Sequence, residues 1–340
     1  MKALITGISG RVGPNLARAM TERGYEIRGL VMPDDPQAHK LASLDVELIE
    51  ADLADAAGVR AAADGVDVIV HLAAQIPQGG SPSERMLDVN TRAVMSLLEG
   101  ALASRRPLKR FVLASTYQTY NPFVTRPVTF SEDTPQAPID IYALTKLLAE
   151  EICLTYFREY GMPATILRYS SIKAANEVLG MLKPAWLNYF IDMTLSKNRI
   201  PFFGAEHVDE TRAVMREALN TPDAVCAAAD AQGRPWRLVV QDVRDTVAGT
   251  LLALESEAAV GEAFNMTGPP AISYARAAKI LADATGRPYL SVTLPFYRGA
   301  DASTEKARDM LGYKPQYTFD KMVQTALAYE RGEPIDQIPN

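Results

Sequence analysis

Tyr142 and Lys146, in Tyr-Ala-Leu-Thr-Lys, stand four residues apart, a spacing that puts both on one face of a helix, one turn from each other. A phenol titrates near pH ~10 and is by itself a poor base at neutral pH. An ammonium a few ångströms away favours the phenolate and lowers that value. The pair therefore predicts a group that takes a proton from an alcohol or returns one to a carbonyl while a hydride moves elsewhere. Upstream, Val-Leu-Ala-Ser115-Thr116-Tyr117-Gln118-Thr-Tyr120 offers two hydroxyls, either of which can hydrogen-bond the reacting oxygen and position it.

Hydride chemistry needs a carrier, and the start of the chain has a place for one. Residues 2–6 read as a short buried strand and residues 13–23 have the apolar spacing of a helix. Between them lie Gly7, Gly10 and Gly13. In a dinucleotide-binding turn the first glycine permits the tight bend, the second lets the backbone approach a pyrophosphate, and the third lets helix and strand pack closely. The helix start then faces the phosphates with unpaired N–H groups and partial positive charge. Further strands are expected at 25–31, 46–50, 66–72, 110–114 and 163–168, with long helices at about 84–104 and 139–160. Short Val/Ile/Leu runs alternating with helices predict an α/β fold, a parallel sheet covered on both faces. In such sheets ligands bind outside the carboxyl ends of the strands.

The 340 residues, 48% hydrophobic and 22% charged, suffice for one large core or two unequal ones. A net charge of -6 without a basic stripe excludes nucleic acid as an expected partner. No apolar run is long enough for a membrane span, and a strand beginning at residue 2 leaves no room for a signal peptide. Cys153 and Cys226 are read as reduced core thiols, pointing to the cytoplasm. His39, His71 and His207 have no metal-ligand spacing, and His71 is read as a packed, hydrogen-bonded strand end.

These motifs together resemble an extended short-chain dehydrogenase/reductase of the NAD-dependent epimerase/dehydratase family. Thr6-Gly-x-x-Gly-x-x-Gly13 is similar to that family's cofactor turn, and Tyr142-x-x-x-Lys146 to its catalytic pair. His71-Leu72-Ala73-Ala74 resembles the segment lying under the cofactor. Asn90 matches the Asn of the following helix, and Asp52-Leu53 the pair that meets the adenine. Val239–Asp245, Ala263-Phe-Asn265 and Lys306-Ala-Arg-x-x-Leu-Gly-Tyr313 fit the C-terminal signatures. The resemblance implies that Arg11, Val12 and Tyr169 also line the cofactor. In family register the second hydroxyl, Thr116, is catalytic, with Tyr120 as landmark. Ser115 is kept beside it as a bond to backbone or cofactor.

The resemblance implies a Rossmann-type doubly wound parallel sheet over residues 1–170, with 236–265 returning to it. Residues 171–235 and 266–335 form a smaller, discontinuous C-terminal lobe that binds substrate. Homodimerisation through the two long helices is expected from the family alone. NAD-binding members carry an acid at the end of strand two, where this chain has Val31; NADP-binding members often have Arg where Met32 stands. Asp34 or Asp35 is placed to meet the ribose and repel a 2′-phosphate, whereas Arg11 would attract one. The expected cofactor is NAD, with NADP left open.

The dehydratases of the family follow the catalytic Thr with Asp-Glu; Tyr117 and Gln118 stand here and cannot serve as that acid and base. Hydride transfer on a sugar-type small molecule remains. It is read first as epimerisation of a sugar or nucleotide sugar, alternatively as net oxidation or reduction of a non-nucleotide sugar, sugar acid or related carbonyl compound. A cofactor sensor without activity would predict a broken triad, and this one is complete. Gln75, Thr116, Tyr117, Ser171, Lys173 and Arg237 are the expected substrate contacts, Ser171 replacing an Asn that touches the diphosphate in nucleotide-sugar members. Arg168, Arg234 and Arg244 are further candidates for binding an anion. A Pro/Gly-rich loop at 76–81 is placed to fold over the substrate. After Phe202-Phe203-Gly204 an insertion with a helix at 210–219 reshapes the nucleotide end of the pocket.

Overall fold

The computed structural model of the chain describes residues 1–76, 82–124, 126–195 and 205–340, apart from the side chains of 193, 194, 205 and 206. Most of the expected substrate loop, and Phe202-Phe203-Gly204, lie outside the described residues.

The short apolar runs form one seven-stranded sheet. Its strands are β1 (Lys2–Thr6), β2 (Glu26–Val31), β3 (Val46–Glu50), β4 (Val68–His71), β5 (Arg110–Thr116), β6 (Ala164–Tyr169) and β7 (Ala263–Met266), in the order β7-β6-β5-β4-β1-β2-β3. Every neighbouring pair is parallel. β1, β4, β5 and β6 are buried almost throughout, as the central strands of a two-face-covered sheet must be. β5 runs two residues beyond its expected end. Ser115 and Thr116 are therefore strand residues, paired with Arg168 and Tyr169.

Helix α1 (Gly13–Thr21) packs on one face of the sheet with α9 (Val243–Glu255), and α2 (Ala56–Ala63), α4 (Ala93–Ala103) and α5 (Ile141–Tyr160) cover the other. Asp140 caps α5 by accepting from Ala143 N–H at 2.8 Å, and Gly161 ends it at φ 68. The helix expected over 84–104 is three pieces: α3 (Ser83–Leu87), a π-turn at Asp88–Arg92, and α4. Such π-bulges gather at functional sites, and this one carries Asn90.

A second core forms from α6 (Ala175–Val178), α7 (Pro184–Leu195), α8 (Ala205–Ala218), α10 (Tyr274–Thr285) and α12 (Phe319–Glu330), around a parallel strand pair, Val225–Asp230 with Tyr289–Leu294. Trp236, wholly buried at its centre, donates Nε1–H to Phe296 O at 2.8 Å. Helix α11 (Glu305–Leu311) lies against β7 instead. No helix among the described residues is long and apolar enough to cross a membrane.

Candidate active site

The site begins at the turn leaving β1. Gly7 has φ +67, and a Cβ there would lie 2.8 Å from Ala73 N. A Cβ on Gly13 would lie 2.5 Å from Gly7 O and closer still to Ile8; helix and strand touch through this residue. On Gly10 it would meet only Gly7 O, at 3.2 Å, so that face of the turn is open. Helix α1 has Pro14 in its first turn, no side-chain cap and no acid there. Its N–H groups and dipole are thus uncompensated, the condition for holding a pyrophosphate. A dinucleotide fits this cradle.

Around the turn, several nominated residues have protein partners. Arg11 forks onto Glu177 of α6, with Nε and Nη2 at 2.6 and 2.5 Å, so its charge is compensated and not available for a 2′-phosphate. Ser9 Oγ donates to Asp35 Oδ2 at 2.5 Å, pinning a carboxylate to the glycine turn, and Asp34 follows β2 with φ 56. An anion pinned there disfavours a second phosphate. Asp52 accepts from Arg85 Nη2 and Ala54 N–H, both at 2.8 Å, the arginine holding its carboxyl below the usual range; an adenine would have to share it. Leu53, Leu72, Ala73 and Ala74 are half-buried along the strand ends, while Val12 is buried. Tyr169 is buried, its hydroxyl paired with Thr250 Oγ1 at 2.7 Å.

Thr6 and His71 face each other across the β1/β4 pair, with Oγ1 2.7 Å from Nδ1. Burial, then the charge of Lys146, pushes the imidazole down to about 3, so it is neutral. Lys146 therefore stands close enough to β4 to be felt beside the glycine turn. Asn90 ties the same region to α5. Its Oδ1 accepts from Gln75 N–H at 2.7 Å, and its Nδ2 donates to Gln75 O and Thr145 Oγ1, both at 3.0 Å. The π-turn thus fixes the residue preceding Lys146 against the loop that follows β4.

Lys146 is 2% exposed, and burial pushes it down to about 8 against the opposing carboxylate of Glu150, one helical turn on. Glu150 is the centre of a buried cluster. Arg168 donates to it at 2.7 Å through Nη2 and 3.1 Å through Nε, Gln136 Nε2 at 3.0 Å, and Ser115 Oγ also donates to it. Removing one member of such a buried pair costs about 3–5 kcal/mol. Ser115, expected to bond backbone or cofactor, donates its hydroxyl to the acid behind Lys146. Arg168 likewise belongs to this cluster, bonded also to Tyr120, whose hydroxyl donates to Asn265 Oδ1 at 3.0 Å.

Thr116 is buried at the end of β5, its Oγ1 accepting from Gln118 N–H at 3.3 Å. Tyr142 is half-buried in the first turn of α5. The expected lowering of its phenol is not what the unliganded fold produces. Burial, with Asp140 adding to it, pushes Tyr142 up to about 12, because the phenolate is removed from water.

The further expected anion readers are mostly paired. Arg237 Nη2 meets Asp301 Oδ2 at 2.7 Å, Arg234 meets Asp230 at 2.6 Å and Arg244 meets Asp242 at 2.8 Å. Ser171 is exposed on a short strand, Ser171–Lys173, beside Val240–Asp242. Lys173 is lowered by burial against the nearby Glu177. Gln75 is half-buried. Thr145, Glu150 and Glu177 were not singled out in the sequence, and of these only Glu150, at the i+4 position from Lys146, had a local signal. No group of His, Cys, Asp and Glu side chains able to hold a metal occurs among the described residues.

A glycine turn at the carboxyl edge of a parallel sheet, with a Tyr/Lys helix across from it, defines a dinucleotide-dependent enzyme of the short-chain dehydrogenase/reductase type. The sequence model of the NAD dependent epimerase/dehydratase family matches residues 3–267, and the chain belongs to that family. It is 27% identical to the UDP-glucose 4-epimerase of Corynebacterium glutamicum, over 97% of this chain and 95% of that one. It is 29% identical to the uronate dehydrogenase of Agrobacterium fabrum over 207 residues, 60% of this chain and 74% of that one. Among solved structures, a short-chain dehydrogenase/reductase superfamily protein from Agrobacterium tumefaciens with bound NAD superposes with a TM-score of 0.80 at 28% identity, covering 98% of this chain and all of that one.

Proposed function

We propose that this protein moves a hydride between NAD and a secondary alcohol or carbonyl carbon of a sugar-type substrate, acting as an epimerase. The observation that carries the reading is the placement of Lys146, buried on α5 one turn from Tyr142, with the adjacent Thr145 tied through Asn90 to Gln75 in the loop after β4. When bound, NAD supplies the group that accepts the hydride and gives it back. The residues of the chain do the rest. Gly7, Gly10, Gly13 and the α1 N-terminus hold the phosphates. Thr116 orients the reacting oxygen, Tyr142 takes or returns its proton, and Lys146 stabilises the phenolate. Glu150 and Asn90 hold Lys146 in place. Residues 1–170 with 236–265 serve as the dinucleotide unit, and 171–235 with 266–335 as the substrate lobe; β7 in the sheet and a separate second core support two units, while Trp236, Leu238 and Val240 pack in the second core and Ala307, Leu311 and Tyr313 in the first.

A net dehydrogenase is the second reading. Ser171 favours it, since a short exposed hydroxyl replaces the amide that holds a diphosphate in nucleotide-sugar members. The two readings separate on denaturing purified protein and identifying by mass spectrometry the nucleotide it releases. Near-stoichiometric NAD is expected for the epimerase, whose intermediate must be reduced by the same bound molecule. Protein that emerges empty and binds NAD reversibly would replace it with the dehydrogenase. The two buried, free thiols fit a reducing compartment such as the cytoplasm.

A homodimer through α4 and α5 completes the proposal. Ile141, Leu144 and Leu148 lie along one face of α5 and remain 38–39% exposed; Met95 and Leu102 on neighbouring α4 are 45% and 42% exposed. An apolar face of this kind suits an isologous contact. Sedimentation should find the wild type dimeric and Leu144→Glu/Leu148→Glu monomeric; a monomeric wild type at micromolar concentration excludes the dimer.

A further inference from the structure

We infer that Arg298 reads a carboxylate on the sugar ring itself, so that the substrate is a sugar acid, free or carried by a nucleotide. The inference rests on the hydride-transfer reading above and adds the class of substrate to it.

The arginines expected to bind anions are compensated by the protein's own carboxylates: Arg168 by Glu150, Arg234 by Asp230, Arg237 by Asp301 and Arg244 by Asp242. Arg298 is different. No carboxylate is bonded to it among the described residues, and its Nη1 is buried without a hydrogen-bond partner. Asp301, three residues on, is held instead by Arg237 Nη2 at 2.7 Å and by the N–H groups of Ala271 and Ala302 at 3.3 and 2.8 Å.

The guanidinium is also firmly placed. It lies 3.8 Å from the Phe190 ring centroid and 5.4 Å from that of Phe123, and the backbone N–H of Arg237 donates to Arg298 O at 2.8 Å. Stacking of this kind fixes the plane of the fork while leaving its edge to bind. The same arginine hydrogen-bonds the phenol of Tyr117, the residue next to Thr116, and lies over Phe123 of the segment that follows it. Arg298 is therefore tied to the reacting end of the site. A partly buried cation without a counter-charge is unfavourable, and a carboxylate received in the fork relieves it with charge-assisted bonds.

The test uses two pairs of compounds differing only in the ring carboxylate: D-glucuronate against D-glucose, and UDP-glucuronate against UDP-glucose. Binding is measured calorimetrically to NAD-loaded protein in the Tyr142→Phe background, which keeps the acids from reacting. In at least one pair the acid should bind about 30-fold more tightly than its neutral partner. Adding Arg298→Met should remove that preference while leaving the neutral partner within about threefold, and Arg298→Lys should restore part of it. Retained NAD affinity in each variant shows that it has folded. Acids binding no better than their neutral partners overturn the inference. So does an Arg298→Met loss shared equally by UDP-glucose and UDP-glucuronate, which would assign the guanidinium to the diphosphate. Turnover is followed separately with Tyr142 intact. An acid that binds through Arg298 but is never turned over with NAD would overturn the proposed reaction and leave the carboxylate site standing.

Discussion

Tyr142→Phe is expected to lower kcat by about a thousandfold, the size of a lost general acid–base, while the affinity for NAD changes by less than about threefold. The helix that presents the side chain does not depend on its hydroxyl. It is capped by Asp140, and Thr145 Oγ1 donates back to Tyr142 O at 2.8 Å. What is lost is the proton carrier assigned to the reacting oxygen under the proposed mechanism. Burial holds the phenol up at about 12, so a nearby positive charge is needed to favour the phenolate. Lys146 must keep its charge, and Glu150, held by Arg168, opposes the burial that would remove it. Steady-state kinetics alongside a fluorescence titration of NAD checks both halves. A variant that keeps its turnover disproves the mechanism, and one that also loses NAD shows Tyr142 to be a binding residue first.

Gly13→Ala is expected to abolish measurable NAD binding and to destabilise the protein by about 3 kcal/mol or more, at the upper end for an overpacked core. The added Cβ would fall 2.5 Å from Gly7 O and closer to the backbone of Ile8. These are main-chain atoms of the turn itself, so relief requires α1 to move away from β1. That shift also carries off the helix N-terminus that receives the phosphates. Urea unfolding reads the stability and calorimetry the binding. Wild-type affinity in a stably folded Gly13→Ala protein would show that the turn does not hold the dinucleotide.

Much of this protein is set by local features of its sequence. Strand and helix order follows from apolar periods of two and 3.6, the glycine turn from steric demands within seven residues, and the shared face of Tyr142 and Lys146 from helix geometry alone. Those features sufficed to read the parallel α/β sheet, the position of the site at its carboxyl edge, and the family. The boundaries that moved did so for tertiary reasons: β5 continues through Thr116 because β6 pairs with it. The helix around Asn90 loosens into a π-turn, where that side chain bonds Gln75 and Thr145.

What the tertiary structure decided is the state of the charges. Arg168, Arg237 and Arg11 each looked free to bind an anion, yet Glu150, Asp301 and Glu177 meet them from 18, 64 and 166 residues away. Arg298, which no motif marked, is left with an unpartnered nitrogen beside Tyr117. The phenol of Tyr142 rises where proximity to Lys146 predicted a fall. Composition and spacing name the ionisable groups. Their pKa values and free valences depend on burial and on partners distant in sequence, and folding alone brings those together.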